Sequence, residues 1–91
     1  MSIIEAYEKF CGRITEAALR REKISVTVEC NGISCSGMYR VEPIMEDDEF
    51  IEIIAGDANI VIEKTPFLIA SYNEAENTYI ISNGIFRCII M

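Results

Sequence analysis

The sequence contains neither histidine nor tryptophan. Without histidine the chain cannot build the Ser-His-Asp or Cys-His arrangements, because both use an imidazole as general base. Without tryptophan, and with only 9% aromatic residues, it offers little surface on which nucleic-acid bases could stack. We therefore expect a protein that is not an enzyme and that holds no cofactor.

Long apolar runs and a basic leader are also missing. No stretch approaches the roughly 20 apolar residues that span a bilayer. The first ten residues, MSIIEAYEKF, carry acids where a signal peptide would carry bases. We expect a single domain, residues 1–91, located in the cytoplasm and without a membrane span. The four cysteines should then remain thiols, because cytosolic redox buffers reduce disulfides.

Positive charge is scarce. Eight lysines and arginines face fifteen acidic residues, and the net charge is −7. The first 23 residues are slightly basic, so the excess of acid lies in the remainder of the chain. Such a surface repels phosphate backbones, and we expect no nucleic-acid partner. A basic protein partner is compatible with it, although net charge also serves simply to keep a small protein in solution.

Residues 2–22 are predicted to form one amphipathic helix. Ser2 with Glu5 three positions later fits a capping box, which satisfies free amide groups at a helix start. Arg20 and Arg21 stand at the other end, where the helix dipole favours cations. Apolar residues recur at the three-and-four spacing of one helix face: Ile3, Ile4, Tyr7, Phe10, Cys11, Ile14, Ala17 and Ala18.

Residues 24–42 are predicted to form a β-hairpin. The period of the apolar residues changes to two after Lys23, and Asn31-Gly32 is the strongest short signal for a two-residue turn. Such a turn sorts the apolar partners onto one face and the small polar partners onto the other. The apolar pairs would be Cys30 with Ile33, Val28 with Cys35, and Ile24 with Tyr39.

The stretch CNGISCSG, residues 30–37, could be a metal knuckle, a redox pair, a phosphate-binding loop or only a turn. In the hairpin register Cys30 and Cys35 are diagonal neighbours about 7–8 Å apart. That exceeds the usual disulfide reach of about 4.4–6.8 Å between α-carbons. A zinc site would also need Cys11 and Cys88, the only other candidates. We predict buried core thiols and no metal.

The remaining chain alternates between short apolar segments and turns. The acidic run EDDE, residues 46–49, is predicted to be a solvated loop, and Asn83-Gly84 a second two-residue turn. The predicted strands are FIEII at 50–54, NIVIE at 59–63, FLIASY at 67–72, and both arms of TYIISNGIFRCIIM at 78–91. The second turn would place Ile81 opposite Phe86, Tyr79 opposite Cys88 and Ile80 opposite Arg87.

These elements predict an α+β fold. A helix over 2–22 precedes an antiparallel β meander of about seven short strands within 24–91, forming a curved sheet, a small barrel or a sandwich. The last strand is apolar on both faces, and at an exposed edge it would pair with another chain, so a homo-oligomer is plausible. The candidate protein-interaction residues are Glu46, Asp47, Asp48, Glu49, Ile85, Arg87 and Ile89.

From about Ile33 to Ile90 the pattern resembles the YabP/YqfC family of small sporulation proteins. The resemblance rests on ISCSGMYRVE, on the acidic loop and on a spaced run of aliphatic and aromatic residues. That run comprises Ile51, Ile53, Ile60, Ile62, Phe67, Ile69, Tyr72, Tyr79, Ile81 and Ile85. The resemblance implies a non-enzymatic structural or assembly protein with no catalytic residues. Ala58, Lys64 and Asn83 stand where the family has turn glycines.

A second segment, VTVECNGISCSG, is similar to the first motif of Sm-like barrels, which also begin with a helix. The chain departs from that pattern at Pro43, where an acidic residue is expected, and it lacks the C-terminal Arg-Gly. The alternative function that we consider is a small acidic inhibitor or immunity-type protein of a phage or toxin system. Such a protein would bind a basic partner through residues 46–49 and the neighbouring carboxylates.

Overall fold

A computed structural model describes all residues, 1–91, as one helix followed by eight strands. The elements are α1 Ile3–Arg20, β1 Lys23–Cys30, β2 Ile33–Arg40, β3 Met45–Glu46, β4 Phe50–Ala55, β5 Ala58–Glu63, β6 Ile69–Asn73, β7 Thr78–Ser82 and β8 Phe86–Ile90. All strand pairs are antiparallel, which confirms the α+β class. The predicted count of about seven strands is one too low, because the two residues of β3 pair with β4 at the start of the acidic run.

Helix α1 begins and ends at the expected signals. The Ser2 hydroxyl oxygen accepts a hydrogen bond from the Glu5 backbone N–H at 3.1 Å. At the other end Arg21 adopts a left-handed conformation, with φ of 53°, and the helix stops there. The helix packs across β6 and β7. The residues that it buries are Ala6, Phe10, Ile14 and Ala17.

Five strands form the larger sheet, in the order β2-β1-β8-β7-β6. The predicted first hairpin is confirmed residue by residue, with Cys30 opposite Ile33 and Val28 opposite Cys35. Asn31 and Gly32 both have positive φ, as a two-residue turn of this type requires. Strand β8 lies between β1 and β7, so the C-terminal strand is central and not an exposed edge.

The predicted register of the last hairpin is wrong. Ile81 lies opposite Cys88, and Ile80 opposite Ile89. The turn is centred one residue later because Asn83 does not take positive φ; its side-chain Oδ1 instead accepts the backbone N–H groups of Ile85 and Phe86 at 3.0 and 2.8 Å. The pairing therefore moves by two positions, which leaves every side chain on its predicted face.

The smaller sheet has the order β3-β4-β5 and is joined to the larger one by a bent strand. Beyond β2 the chain continues to pair with β4: Val41 bridges to Ala55, and the Glu42 N–H donates to the Ile54 carbonyl at 3.0 Å. Pro43 then interrupts the pairing, since proline has no N–H to donate. The bend brings the inner faces of both sheets onto one core.

The core is one cluster to which the helix and both sheets contribute. Its largest fully buried side chains are Phe10, Ile14, Ile24, Ile51, Ile53, Ile62, Ile81, Cys88 and Ile90. Burying an aliphatic or phenyl side chain of this size contributes about 1.5–3 kcal/mol. No helix in the chain combines the length and the apolar character needed to cross a membrane.

Candidate interaction surfaces

An apolar pocket of about 240 Å³ lies at the N-terminal end of α1. Tyr7 lines it, and the phenol oxygen of this residue is buried without a hydrogen-bond partner. Burial, with smaller effects of Cys11 and Glu46, raises the pKa of Tyr7 above its usual value. Lys64 binds Glu46 at 2.7 Å beside the pocket, and this contact lowers the pKa of Glu46. The remaining lining residues are Ile3, Ile4, Leu68, Ile69 and Ala70.

The outer surface of the smaller sheet carries an open depression of about 310 Å³. Ile51 and Ile53 point into the core, so the alternation of β4 directs Phe50 and Glu52 outward. We call this surface, with the residues flanking it, the acidic face. Its exposed apolar side chains are Met45, Phe50 and Val61, with exposed fractions of 48%, 40% and 51%. Its carboxylates are Glu46, Asp47, Asp48, Glu49, Glu52 and Glu63.

Within the acidic face Asp47 has a structural role. Its Oδ1 accepts the backbone N–H groups of Glu49 and Phe50 at 2.7 and 2.8 Å, and these bonds lower the pKa of Asp47. The turn that they close leaves Asp48 and Glu49 exposed and without ion-pair partners. The predicted acidic loop is therefore a capped turn with two free carboxylates.

Charge is distributed unevenly over the fold. Residues 42–64, which form the smaller sheet and its flanks, contain eight acidic residues and one lysine, a net charge of −7 that equals the charge of the whole chain. The remaining residues hold seven acids and seven bases. Positive charge collects where α1 passes into β1, because Lys23 lies directly opposite Arg40 in the β1–β2 register.

We call this second surface the basic end. It comprises Leu19, Arg20, Arg21, Lys23 and Arg40. Leu19 is 78% exposed. Arg20 contacts Glu16 at 3.4 Å on the exposed helix surface, whereas the other three cations have no ion-pair partner. The basic end thus carries an exposed leucine on the side of α1 away from the core and three cations without ion-pair partners where the helix passes into the sheet.

Strand β2 forms a free edge of the larger sheet. Because the ladder alternates, its even-numbered residues direct their N–H and C=O groups away from β1. Gly56 covers only the end of this edge, donating its N–H to the Arg40 carbonyl at 2.8 Å. The ring of Tyr39 lies over Gly37, where an added Cβ would come within 2.6 Å of the tyrosine hydroxyl. Glycine is therefore required at this position for the tyrosine to lie as it does.

The cysteines differ in burial, which corrects the prediction of core thiols. Only Cys88 is buried, and burial raises its pKa to about 12. Cys30 and Cys11 are partly exposed, and Cys35 is exposed because it lies on the edge strand. Burial also raises the pKa of Cys11. All four are free thiols, and no three cysteine, aspartate or glutamate side chains come together in a group that could hold a metal.

The predicted interaction residues do not form one surface. The four residues of the acidic run lie beside the smaller sheet, whereas the other three lie on the larger one. Ile85 is 66% exposed in the β7–β8 turn. Arg87 points outward 3.8 Å from Glu29, and Ile89 is partly buried opposite Ile80. The acidic run instead lies beside the exposed apolar side chains of the acidic face. Strand alternation around Ile51 and Ile53 was the signal that could have identified Phe50.

Comparison with known proteins gives no relative: no protein-family model, no curated protein and no solved structure matches the chain.

Proposed function

We propose that the protein is a non-enzymatic assembly protein whose copies associate with one another. The observation that carries this proposal is the acidic face, where three large apolar side chains are exposed among carboxylates: Glu52 lies between Met45 and Val61, and Phe50 lies opposite Glu63. Protein–protein interfaces combine apolar side chains with charged groups that fix the orientation of the partner. Single exposed apolar side chains are common on proteins that act alone. A group of them on one surface usually marks a binding site.

The distribution of titratable groups supports a function without catalysis. Cys88, buried and with a raised pKa, is a poor nucleophile, and no histidine exists to activate the exposed Cys35. Glu46 forms an ion pair with Lys64, and the Asp47 carboxylate accepts a backbone hydrogen bond within its turn. The carboxylates border an open sheet surface, which is a poor place to exclude water from a reaction.

The resemblance to small sporulation proteins agrees with an assembly role. A location of the coding sequence among sporulation genes would favour this more specific proposal, and a location among phage or toxin genes would oppose it.

Light scattering on size-exclusion fractions tests self-association. We expect the measured mass to rise above the monomer mass of 10.3 kDa as the concentration increases. Phe50→Ser should reduce this rise, because it removes the largest apolar side chain of the acidic face. Phe67→Ser is the matched control, since Phe67 is 74% exposed in a loop outside that face. A wild-type mass that stays at 10.3 kDa at every concentration would refute self-assembly.

An acidic inhibitor or immunity-type protein is the second candidate. The unpaired carboxylates Asp48, Glu49 and Glu63 favour it, because they could meet a cationic partner without first breaking an internal ion pair. Titration with a synthetic peptide that alternates lysine and leucine would test this chemistry. Binding should weaken as salt is added, because charges at the rim of an interface are screened. Affinity that does not change with salt would count against the candidate.

A further inference from the structure

We propose that the copies associate head to tail, with the acidic face of one copy bound to the basic end of the next. This inference rests on the proposed self-assembly and specifies its geometry. It follows from three features of the fold: the separation of the two surfaces, their opposite charge, and the apolar side chains that each surface presents.

The two surfaces lie at opposite ends of the molecule. The N-terminal turn of α1 meets Glu46 and Lys64 around the apolar pocket, so the acidic face is near the start of the helix. The helix has 18 residues, and at 1.5 Å per residue its C-terminal end lies about 27 Å away. The longest extent of the fold is 33 Å. The basic end therefore lies at the other end of the helix from the pocket that borders the acidic face.

Strand β4 leads to the same conclusion by a different route. It begins at Phe50, directly after the acidic run, and it ends at Ala55. The next residue, Gly56, donates its N–H to the carbonyl of Arg40, which belongs to the basic end. At about 3.3 Å per residue, the length of this strand places Asp48 and Glu49, which precede it, about 20 Å from Arg40.

Opposite charges at this separation cannot neutralise each other within one copy. In water at physiological ionic strength, interactions between exposed charges are largely screened beyond about 8 Å. Arg21, Lys23 and Arg40 have no internal ion pair, and neither do Asp48 and Glu49. Contact between the acidic face of one copy and the basic end of another would pair these groups without breaking any contact in the fold.

Apolar side chains complement each other in the same way. Leu19 projects from the basic end, with 78% of its surface exposed. Met45, Phe50 and Val61 border the depression on the acidic face. A side chain such as Leu19 placed in that depression would remove apolar surface from water on both copies, at about 25 cal/mol per Å². The surrounding charges would fix the orientation and exclude wrong partners.

Symmetry distinguishes this arrangement from an ordinary dimer. A two-fold dimer through the acidic face would bring like charges together, which is unfavourable. A head-to-tail contact leaves one unoccupied surface at each end of the assembly. Growth then continues until the chain of copies closes into a ring or extends as a filament.

Two neutralised variants test the proposal. The first removes cations from the basic end, with Arg21→Asn, Lys23→Gln and Arg40→Gln; asparagine tolerates the left-handed conformation at position 21. The second removes carboxylates from the acidic face, with Asp48→Asn and Glu49→Gln. Each variant retains one working surface, so each alone should remain monomeric where the wild type assembles. An equimolar mixture should form dimers of twice the monomer mass and should grow no further.

A control variant carries Glu8→Gln on the exposed side of α1 and Glu29→Gln on β1, which removes two carboxylates that belong to neither surface. It should assemble like the wild type. Circular dichroism of all variants establishes that they are folded. If both neutralised variants assemble like the wild type, the head-to-tail contact is refuted while self-assembly stands. If the mixture grows beyond the dimer, the inference is also refuted. If the wild type is monomeric, both the inference and the proposed function fail.

Discussion

The two sheets of this fold are alike on their inner faces and different on their outer ones. Both alternate strictly, and both direct isoleucines inward, with Ile53 in the smaller sheet and Ile81 in the larger one buried completely. Outward, the smaller sheet presents apolar side chains and carboxylates. The larger sheet presents five of the six serines and Thr27, which hydrogen-bonds Ser36 at 2.9 Å, together with charged residues and the apolar side chains Met38, Ile80 and Ile89. The inner faces determine the fold, and the outer faces distinguish the surfaces that can bind.

The largest expected effect tests whether the sheets share one core. Ile53→Ala and Ile81→Ala should each lower the free energy of unfolding by about 2–5 kcal/mol, because both delete fully buried atoms and leave a cavity. Urea unfolding followed by circular dichroism measures the loss. We expect one transition in each variant. Two separated transitions in either variant would show that the sheets unfold independently.

Asn83 links the two sheets, and its removal should have the next largest effect. The side chain is buried; besides capping the β7–β8 turn, its Nδ2 donates to the Glu63 carbonyl in β5 at 3.2 Å. Asn83→Ala leaves these backbone groups without partners and should cost about 1–3 kcal/mol in urea unfolding. Asn59→Ala, which removes an exposed contact with Glu52, is the control and should change stability by less than about 0.5 kcal/mol. Equal losses would refute the linking role of Asn83.

Two glycines should respond in opposite directions. Gly37→Ala would bring a methyl group against the far end of the partly exposed Tyr39 side chain, which must move away, and should lower the free energy of unfolding by about 1 kcal/mol or less. Gly12 lies within α1 with nothing within 4 Å of an added Cβ, so Gly12→Ala should raise stability by about 0.5–1 kcal/mol. Thermal unfolding of both variants measures the signs. Two changes of the same sign would contradict the description of the β2 edge.

The smallest expected effect is a pH-dependent change in stability at the turn that Asp47 closes in the acidic face. The backbone hydrogen bonds to Asp47 lower the pKa of its carboxyl group in the folded state. The ionised carboxylate therefore stabilises the fold at pH values above the pKa that Asp47 has in the unfolded chain, and this stabilisation is lost as the pH falls through the pKa of the folded state. Asp47→Asn should therefore be less stable than the wild type at neutral pH and should converge with it in acid. A stability difference that does not change with pH would show that the ionised carboxylate is not responsible.

Local chemistry allowed much of the fold to be predicted from the sequence. The Asn31-Gly32 turn determined the register of the first hairpin, and the capping signal at Ser2 located the start of the helix. The shift at Asn83 escaped prediction because it depends on a side chain that bonds both its own turn and a distant strand. The exposure of Cys35 depends on which strand lies at the edge, which is a property of the whole sheet.

The candidate surfaces were harder to predict for the same reason. The acidic run was visible in the sequence, but the apolar side chains beside it belong to three different strands. The basic end joins a helix terminus to Arg40, a residue that only the pairing of β1 with β2 brings near Lys23. The residues of neither surface are continuous along the chain, so neither surface can be identified without knowing how the strands pair.

Sedimentation velocity of the wild-type protein at one concentration, in low salt and in high salt, tests the central claim most directly. Because the head-to-tail contact joins an acidic face to a basic end, we predict a mass well above 10.3 kDa in low salt that falls toward 10.3 kDa in high salt. A mass above 10.3 kDa that does not change with salt, or a monomer in both conditions, would contradict the account.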